Sequence, residues 1–170
     1  MTTAELLLDS FDRVREVVRD ALDGLTPEQL SSTPAPEANS IAWLAWHLTR
    51  VQDDHVATAF GRTQVWLANG WMERFALPFD ATATGYGHSP DEVAKLHTTA
   101  DLLVGYYDDV HEQTKNCLAG LTDADLDRVV DPSFDPPVTL GVRLVSVLSD
   151  DLQHAGQLGY VRGLVNGDKK

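Results

Sequence analysis

The hydrophobic positions along the chain recur at intervals of three and four residues in four long segments. The first runs from Ala4 to Leu25, the second from Ile41 to Phe60, the third from Pro90 to about Ala119, and the fourth from Thr139 to Val165. This spacing is typical of amphipathic α-helices. No segment of similar length alternates apolar and polar residues as a half-buried strand does. The pattern therefore predicts an all-α protein.

Residues that begin and end helices flank these segments. In Ser89-Pro90-Asp91-Glu92 the serine can cap a helix, the proline suits its first position, and the acids face the positive end of the helix dipole. Ser40 is the predicted cap of the second helix, and Gly61 and Gly120 are the predicted ends of the second and third helices. We therefore expect the third helix to start at Pro90.

The connections between the helices suggest how they are arranged. Residues 62–88 hold two tryptophans, a proline and three glycines, which predicts a packed irregular excursion with a short helix between the second and third helices. Gly24–Leu30 resembles Gly120–Leu126, and each links one long helix to the next. The repeat favours two helical hairpins that form a four-helix bundle, in a single domain spanning residues 1–170.

The net charge and the cysteine content indicate which partners and which cellular location to expect. The formal net charge of -13 makes nucleic acid and anionic membrane surfaces poor partners, because both repel an acidic protein. The single cysteine, Cys117, lies on the apolar side of the third helix, where we expect a buried and unreactive thiol. Without a basic leader or a long apolar run, we expect a cytoplasmic location.

The six histidines differ in their sequence surroundings. His88, His97 and His111 lie off the apolar stripes, and we expect them on the solvated surface. His47 is flanked by Leu44 and Val51 at helical spacing, so it points inward. Taken alone, a buried histidine is more often a core residue with a hydrogen-bond partner than a metal ligand.

The fourth helix adds polar groups to an otherwise apolar stripe. Asp151 and His154 lie on the stripe, and Asp150 lies at its edge, one turn before His154. A buried carboxylate needs a cation, a metal ion or hydrogen-bond donors. Residues four apart on a helix can bind one ion, so Asp150 and His154 are candidate metal ligands; a hydrogen bond between the two is the alternative.

Two segments carry a resemblance to a known family. Ile41–Leu48, with the sequence IAWLAWHL, and Asp150–Leu158, with the sequence DDLQHAGQL, are similar to segments of the DinB/YfiT-like superfamily of metalloenzymes. That superfamily includes DUF664-type proteins and the N-terminal domain of mycothiol-dependent maleylpyruvate isomerases. The resemblance spans nearly the whole chain and implies a DinB-like four-helix bundle.

The resemblance also implies a ligand set. In the family one ligand histidine comes from the second helix, and two ligands lie four residues apart on the last long helix. His47 matches the first ligand, His154 with Gly156-Gln157 matches the last, and Asp150 takes the middle place. The wider family usually has histidine there and the isomerases have glutamate, so the acid resembles the isomerase branch. Because aspartate is shorter, either the helices approach more closely, or Asp150 binds through water, or Asp151 replaces it.

Two histidines and one carboxylate leave coordination positions open, as in catalytic metal sites, and zinc or nickel suits imidazole ligands. The resemblance implies that the ion activates a low-molecular-weight thiol, mycothiol or bacillithiol, for transfer to or isomerisation of a small electrophile. The alternatives are a hydrolase that uses metal-activated water and a non-catalytic metal-binding or stress-response module. The resemblance also favours a homodimer.

Other residues near the predicted ligands are candidates for supporting roles. His55 follows His47 by eight residues, and its neighbour Asp54 is an alternative to it. Gln157 follows His154 by three residues and is a candidate to orient a ligand or to bind a cofactor. We expect the four tryptophans in the core or in the wall of a substrate pocket.

Overall fold

A computed structural model of the chain describes residues 1–166, and the side chains of residues 1–165. The predicted domain of residues 1–170 therefore ends in four residues that lie outside the described part. The protein is all-α, as predicted, with four long helices. They are α1 (Thr3–Leu22), α3 (Ile41–Phe60), α7 (Ala100–Leu118) and α8 (Leu140–Asn166).

Short elements fill the connections between the long helices. The link from α1 to α3 contains α2 (Pro27–Ser31), and the link from α7 to α8 contains a 3-10 helix (Asp123–Asp127). Thr26 and Thr122 cap these two elements with the same reciprocal hydrogen-bond pattern, which explains the sequence repeat. The excursion between α3 and α7 contains three short helices, which are α4 (Val65–Ala68), α5 (Trp71–Phe75) and α6 (Pro90–Val93).

Two short strands, which the sequence pattern does not predict, precede α8. The strand β1 (Val129–Asp131) pairs antiparallel with β2 (Val138–Thr139). The hairpin packs against α3 and α8, so it lies at one end of the groove between these two helices.

The four long helices form a ring in which each packs against two others. α1 and α3 both contact α7 and α8, and the contact between α3 and α8 is the most extensive. α3 is buried on almost all sides, including the polar residues Arg50, Gln52 and Asp53. None of the helices in the described residues is long and apolar enough to cross a membrane.

The third long helix starts later than predicted. The predicted signals at Ser89-Pro90 do form a capping box, but α6 ends after one turn, at Val93. The chain then leaves helical geometry until Thr99, whose side chain accepts a hydrogen bond from the backbone N–H of Leu102 and caps α7. The predicted third helix is therefore divided into α6 and α7, because Thr99 caps a second helix start.

Two polar residues of α3 bind the excursion to the bundle. Arg50 is fully buried and donates hydrogen bonds to the carbonyl oxygens of Ala83 (3.0 Å) and Ala81 (3.4 Å). Asp53, one turn later, accepts the backbone N–H groups of Val65 and Trp66 at 2.8 Å each. These bonds satisfy backbone groups that an irregular segment would otherwise bury unpaired.

The same two residues also interact with each other and with α7. The Asp53 carboxylate lies 3.6 Å from the Arg50 guanidinium and accepts the hydroxyl of Tyr106 at 2.8 Å. Burial raises the pKa of Asp53, although its hydrogen bonds and Arg50 oppose that change. The excursion is therefore fixed to both α3 and α7 by one buried polar network.

Asp108 joins α1 to α7 and gives a pH-dependent prediction. Burial raises its pKa, but hydrogen bonds from Arg15 (2.8 Å) and Arg19 outweigh burial and leave the pKa lowered. A carboxyl with a lowered folded-state pKa stabilises the fold above the unfolded value of about 3.9, and this contribution is lost as the pH falls through the folded value. We expect Asp108→Asn to lower the thermal midpoint at pH 7.

The measurement is the thermal midpoint of the native protein and of Asp108→Asn between pH 7 and pH 2.5. The two curves should converge as the pH falls below the ordinary range of aspartate. An equal gap at both ends of this range would contradict the prediction. Asp101→Asn, a change at an exposed aspartate in the first turn of the same helix, is the control.

Candidate metal centre

The candidate centre lies between α3 and α8, where one residue of α3 faces two of α8. His47, Asp150 and His154 each offer one ligand atom, and the three atoms lie within 4.8 Å of one another. A metal–ligand bond to nitrogen or oxygen is about 2.2 Å long, so two ligand atoms on opposite sides of one ion lie about 4.4 Å apart. The spacing of the three atoms is close to this distance. The group could therefore hold a metal ion.

The helix geometry explains why these residues meet. Asp150 and His154 are four residues apart, so their side chains lie one above the other on α8, with His154 Nε2 3.6 Å from Asp150 Oδ1. His47 is on the face of α3 that packs against α8, and its ring centroid lies 4.7 Å from that of His154. Asp150 thus reaches the group directly, despite its short side chain.

Each histidine has one ring nitrogen held by a hydrogen bond. His47 Nδ1 donates to the carbonyl oxygen of Thr84 at 2.6 Å, and His154 Nδ1 donates to Oε1 of Gln157 at 2.8 Å. Both acceptors are carbonyl oxygens, which cannot donate, so each Nδ1 carries the proton. Nε2 is then the nitrogen of each ring that would bind a metal, and this kind of second bond commonly orients metal-binding histidines.

The electrostatics of the group also favour a cation. Burial lowers the pKa of His47, which keeps its imidazole neutral and able to act as a ligand. Burial opposes ionisation of Asp150, but the hydrogen bond with His154 and the nearby histidines leave its pKa lowered. The hydrogen bond with Asp150 raises the pKa of His154. His47 is therefore neutral, while the position between His154 Nε2 and Asp150 Oδ1 favours a positive charge, either a proton on Nε2 or a metal ion that replaces this proton.

One carboxylate oxygen supports the same interpretation. Asp150 Oδ2 is buried and has no hydrogen-bond partner among the described residues. Burial of a carboxylate oxygen costs free energy unless a hydrogen-bond donor or a cation pairs with it. A bound metal ion would be such a partner. The donor set of two imidazoles and one carboxylate therefore fits a divalent metal ion.

Asp151, the predicted alternative to Asp150, does not belong to the group. Its side chain is fully buried, neither of its oxygens has a partner among the described residues, and burial raises its pKa well above the usual range. The charge of Asp150 also raises the pKa of Asp151, and the charge of Asp151 raises the pKa of Tyr107 on α7. The carboxyl group therefore faces the interior of the bundle.

Aromatic residues cover one side of the centre. Trp43 stacks on His47 with ring centroids 4.4 Å apart, and its edge meets the ring of His154. Trp43 Nε1 donates to Nδ1 of His88 at 3.2 Å. All four tryptophans are buried, as expected for core or pocket wall.

The excursion packs against the same side of the centre, and Gly85 makes the closest approach. Gly85 has a φ of 94°, and a Cβ atom there would lie 2.9 Å from His47 Nδ1 and 3.0 Å from Trp43. Only glycine permits this backbone conformation and this close approach. The position of Thr84, and therefore its hydrogen bond to His47, depends on Gly85.

The remaining histidines differ in their surroundings. His97 is exposed, as predicted, and His88 is half-buried beside Trp43. The prediction for His111 was wrong, because this residue is 4% exposed and its Nε2 lies 2.8 Å from Asp12 of α1. His55 lies farther along α3, next to Arg143 of α8. Sequence reasoning did not single out Arg50, Asp53 or Thr84.

Comparison with known proteins agrees with this architecture. A profile described as the DinB superfamily matches residues 10–158. The chain belongs to the DinB superfamily. The chain is also similar to a solved structure titled the conserved protein of locus from Enterococcus faecalis, with 33% sequence identity, a TM-score of 0.91 and 99% of each chain covered. A comparison with curated proteins finds no match.

Gln157 gives a prediction that arises from this geometry. We expect Gln157→Leu to weaken zinc binding about 10- to 100-fold, because His154 loses the acceptor that fixes its ring. Isothermal titration of metal-stripped protein with zinc measures the change. Gln153→Leu is the matched control, since Gln153 lies one turn earlier and, among the described residues, donates to Ser149 of its own helix. Equal affinities of the two variants would contradict this role.

Proposed function

We propose that this protein is a divalent-metal enzyme that activates a low-molecular-weight thiol for transfer to, or isomerisation of, a small electrophile. The observation that carries the proposal is the group of His47, Asp150 and His154, in which each Nδ1 is held by an acceptor and one buried carboxylate oxygen has no partner among the described residues. Three protein ligands leave coordination positions for a small molecule, as catalytic metal sites do.

The choice of a thiol rests on the family. The chain is a member of the DinB superfamily, and its acidic middle ligand resembles that of the mycothiol-dependent isomerase branch. When bound, a divalent ion in such a site lowers the pKa of a coordinated thiol or water, and so supplies a nucleophile near neutral pH.

The surrounding residues have distinct roles in this proposal. Thr84 and Gln157 hold the two imidazoles in the tautomer that binds a metal. Asp150 supplies a negative charge that offsets the charge of the ion. Trp43 covers the ring of His47 and limits the access of water on that side. The chain thus provides orientation, charge and partial exclusion of solvent.

The test uses protein purified without a histidine tag, stripped with a chelator, and reloaded with zinc or nickel. Elemental analysis should give about one ion per chain. The reloaded protein should then accelerate the coupling of mycothiol to a fluorogenic alkylating agent, and the acceleration should disappear without metal. His97→Ala, which changes an exposed histidine, is the matched control and should behave as the native protein.

Each alternative has its own result in this assay. Metal-dependent cleavage of an ester or amide without any thiol would contradict the thiol proposal and support a hydrolase. Full metal occupancy with no turnover of either kind would support a non-catalytic metal-binding module.

A further inference from the structure

The outer side of α8 carries no charge. Among residues 140–165, the part of α8 whose side chains the structure describes, twelve residues are exposed and none of them is charged. They lie between Val142 and Leu164, and we call this set the α8 face. At 100° per residue the twelve positions span an arc of about 160°, so they form one continuous side of the helix.

The outer side of α1 shows how unusual this composition is within the same protein. α1 exposes nine residues, and seven of them are charged. The chain as a whole carries 26 acidic and 13 basic residues. Charged residues are common on surfaces that remain in water and are depleted at the centre of protein interfaces. The α8 face therefore has the composition of an interface.

The α8 face is also apolar and long. Five of its residues are large hydrophobic residues that are each more than half exposed, namely Val142, Val145, Leu152, Tyr160 and Leu164. The face is about 33 Å long and about 15 Å wide around the helix, so two such faces bury at most about 1,000 Å² in total. This area is at the low end for specific interfaces, which corresponds to binding in the micromolar range.

Three glycines on the α8 face have no packing role among the described residues. A Cβ atom at Gly156, Gly159 or Gly163 would meet nothing within 4 Å. Glycine weakens a helix relative to alanine, so three glycines in one helix need a reason outside the helix itself. The close approach of a second helix is such a reason, because glycine leaves room for the side chains of a neighbour.

The order of residues along the face indicates which partner fits it. Val142 and Val145 lie in its N-terminal half, whereas the three glycines lie in its C-terminal half. Two antiparallel copies of α8, related by a two-fold axis midway between positions 152 and 153, place Val142 opposite Gly163. The same axis places Ser149 opposite Gly156. Parallel copies would instead place valine on valine and glycine on glycine, so the face is complementary to itself only in the antiparallel arrangement.

We propose that the α8 face binds a second copy of this chain, with the two α8 helices packed antiparallel. The charge distribution supports this occupant. Two copies that each carry a formal net charge of -13 repel each other through their acidic surfaces, and the α8 face is a side on which they can meet without placing charged side chains together. This association is a property of the chain that goes beyond the proposed function.

The candidate metal centre lies at one edge of the α8 face. Gln157, which accepts the hydrogen bond from His154 Nδ1, is one of the twelve exposed residues. A second copy on the face therefore lies beside this bond and reduces its exposure to water.

The experiment is sedimentation equilibrium of the full chain in about 0.15 M salt, which screens the net charge. Between about 1 µM and 500 µM, the mass should rise from that of one chain to that of two. Leu152→Glu brings two carboxylates together near the axis and should weaken the dimer at least about tenfold. Leu6→Glu makes the same change on α1, at a leucine that is 54% exposed against 56% for Leu152, and should leave the dimer unchanged.

Gly156→Leu separates an effect on the interface from an effect on the fold. Leucine is the better helix former and its Cβ meets nothing within 4 Å, so the thermal midpoint at the lowest concentration should be unchanged or raised. The dimer should nevertheless weaken at least about tenfold, because the new side chain occupies the space of the second helix.

Two cysteine variants test the direction of packing. Gln153→Cys lies beside the two-fold axis, so oxidation with diamide should join the two copies by a disulfide. Val142→Cys lies at the end of the face, about 31 Å from its copy in the antiparallel pair, and should stay unlinked. The native Cys117 is buried and does not compete.

Each result supports or overturns the proposal. A native protein that sediments as one chain at every concentration would overturn it, as would an unchanged dimer in Leu152→Glu or Gly156→Leu, or a dimer lost in Leu6→Glu. Cross-linking of Val142→Cys, or none of Gln153→Cys, would overturn the antiparallel arrangement. The assay contains neither a metal nor a thiol substrate, so its failure is distinct from failure of the proposed function.

Discussion

Replacement of Arg50 by methionine is expected to lower the free energy of unfolding by about 3–5 kcal/mol, since it breaks a buried ion pair from one side. Arg50 and Asp53 are both fully buried, 3.6 Å apart. Without the guanidinium, the buried Asp53 carboxyl loses the cation that faces it. The carbonyl oxygens of Ala81 and Ala83 also lose the donor that holds the excursion.

Urea unfolding, followed by tryptophan fluorescence and circular dichroism, measures this effect. Arg13→Met is the matched control, because Arg13 is an exposed arginine on α1 whose ion pair with Asp9 is also exposed. We expect that change to cost about 0.5 kcal/mol or less. A loss below about 1 kcal/mol in Arg50→Met would contradict the buried network.

A milder variant keeps the prediction testable if Arg50→Met does not fold. Arg50→Lys retains the charge beside Asp53 but cannot reproduce the planar fork that reaches two carbonyl oxygens and the side chain of Gln64. Its stability should lie between that of the native protein and that of Arg50→Met. Native stability in Arg50→Lys would show that only charge matters and that the bonds to the excursion do not.

This network marks a limit of the sequence pattern. Apolar periodicity predicts the four long helices because each buries an apolar stripe, and it places the second helix at the same bounds as α3. The same pattern cannot predict that α3 is buried on almost all sides. Arg50 and Asp53 are buried by the excursion between α3 and α7, and the excursion has no periodic apolar pattern. Their partners are mostly backbone groups of the excursion, and sequence does not mark which backbone groups lack hydrogen bonds.

The histidines show the same limit from another direction. His111 lies off the apolar stripe of its helix, so the pattern favours solvent, yet Asp12 of α1 covers it. His47 and His154 lie on inward faces, and the family resemblance singles them out. Periodicity places Asp151 on the stripe and Asp150 at its edge; the edge position faces α3, which is why Asp150 joins the group.

Removal of either histidine from the centre is expected to abolish zinc binding at micromolar concentration. His47→Ala leaves two ligands on one helix, and His154→Ala leaves one ligand on each of two helices. Loss of a residue that hydrogen-bonds to a metal ligand weakens metal binding about 10- to 100-fold, and loss of the ligand itself should weaken it more. We therefore expect at least about a hundredfold weaker binding for each variant, or about 2.7 kcal/mol.

Zinc titration of the metal-stripped proteins, with elemental analysis of the reloaded ones, measures the loss for each variant. His97→Ala controls for removal of an exposed imidazole. Circular dichroism separates metal loss from unfolding, which matters for His47→Ala because that change also frees the carbonyl oxygen of Thr84. His154→Ala makes no such change to the excursion, so metal loss in a folded His154→Ala protein supports the centre by itself. Full occupancy in both variants would exclude these histidines as ligands and remove the basis of the proposed chemistry.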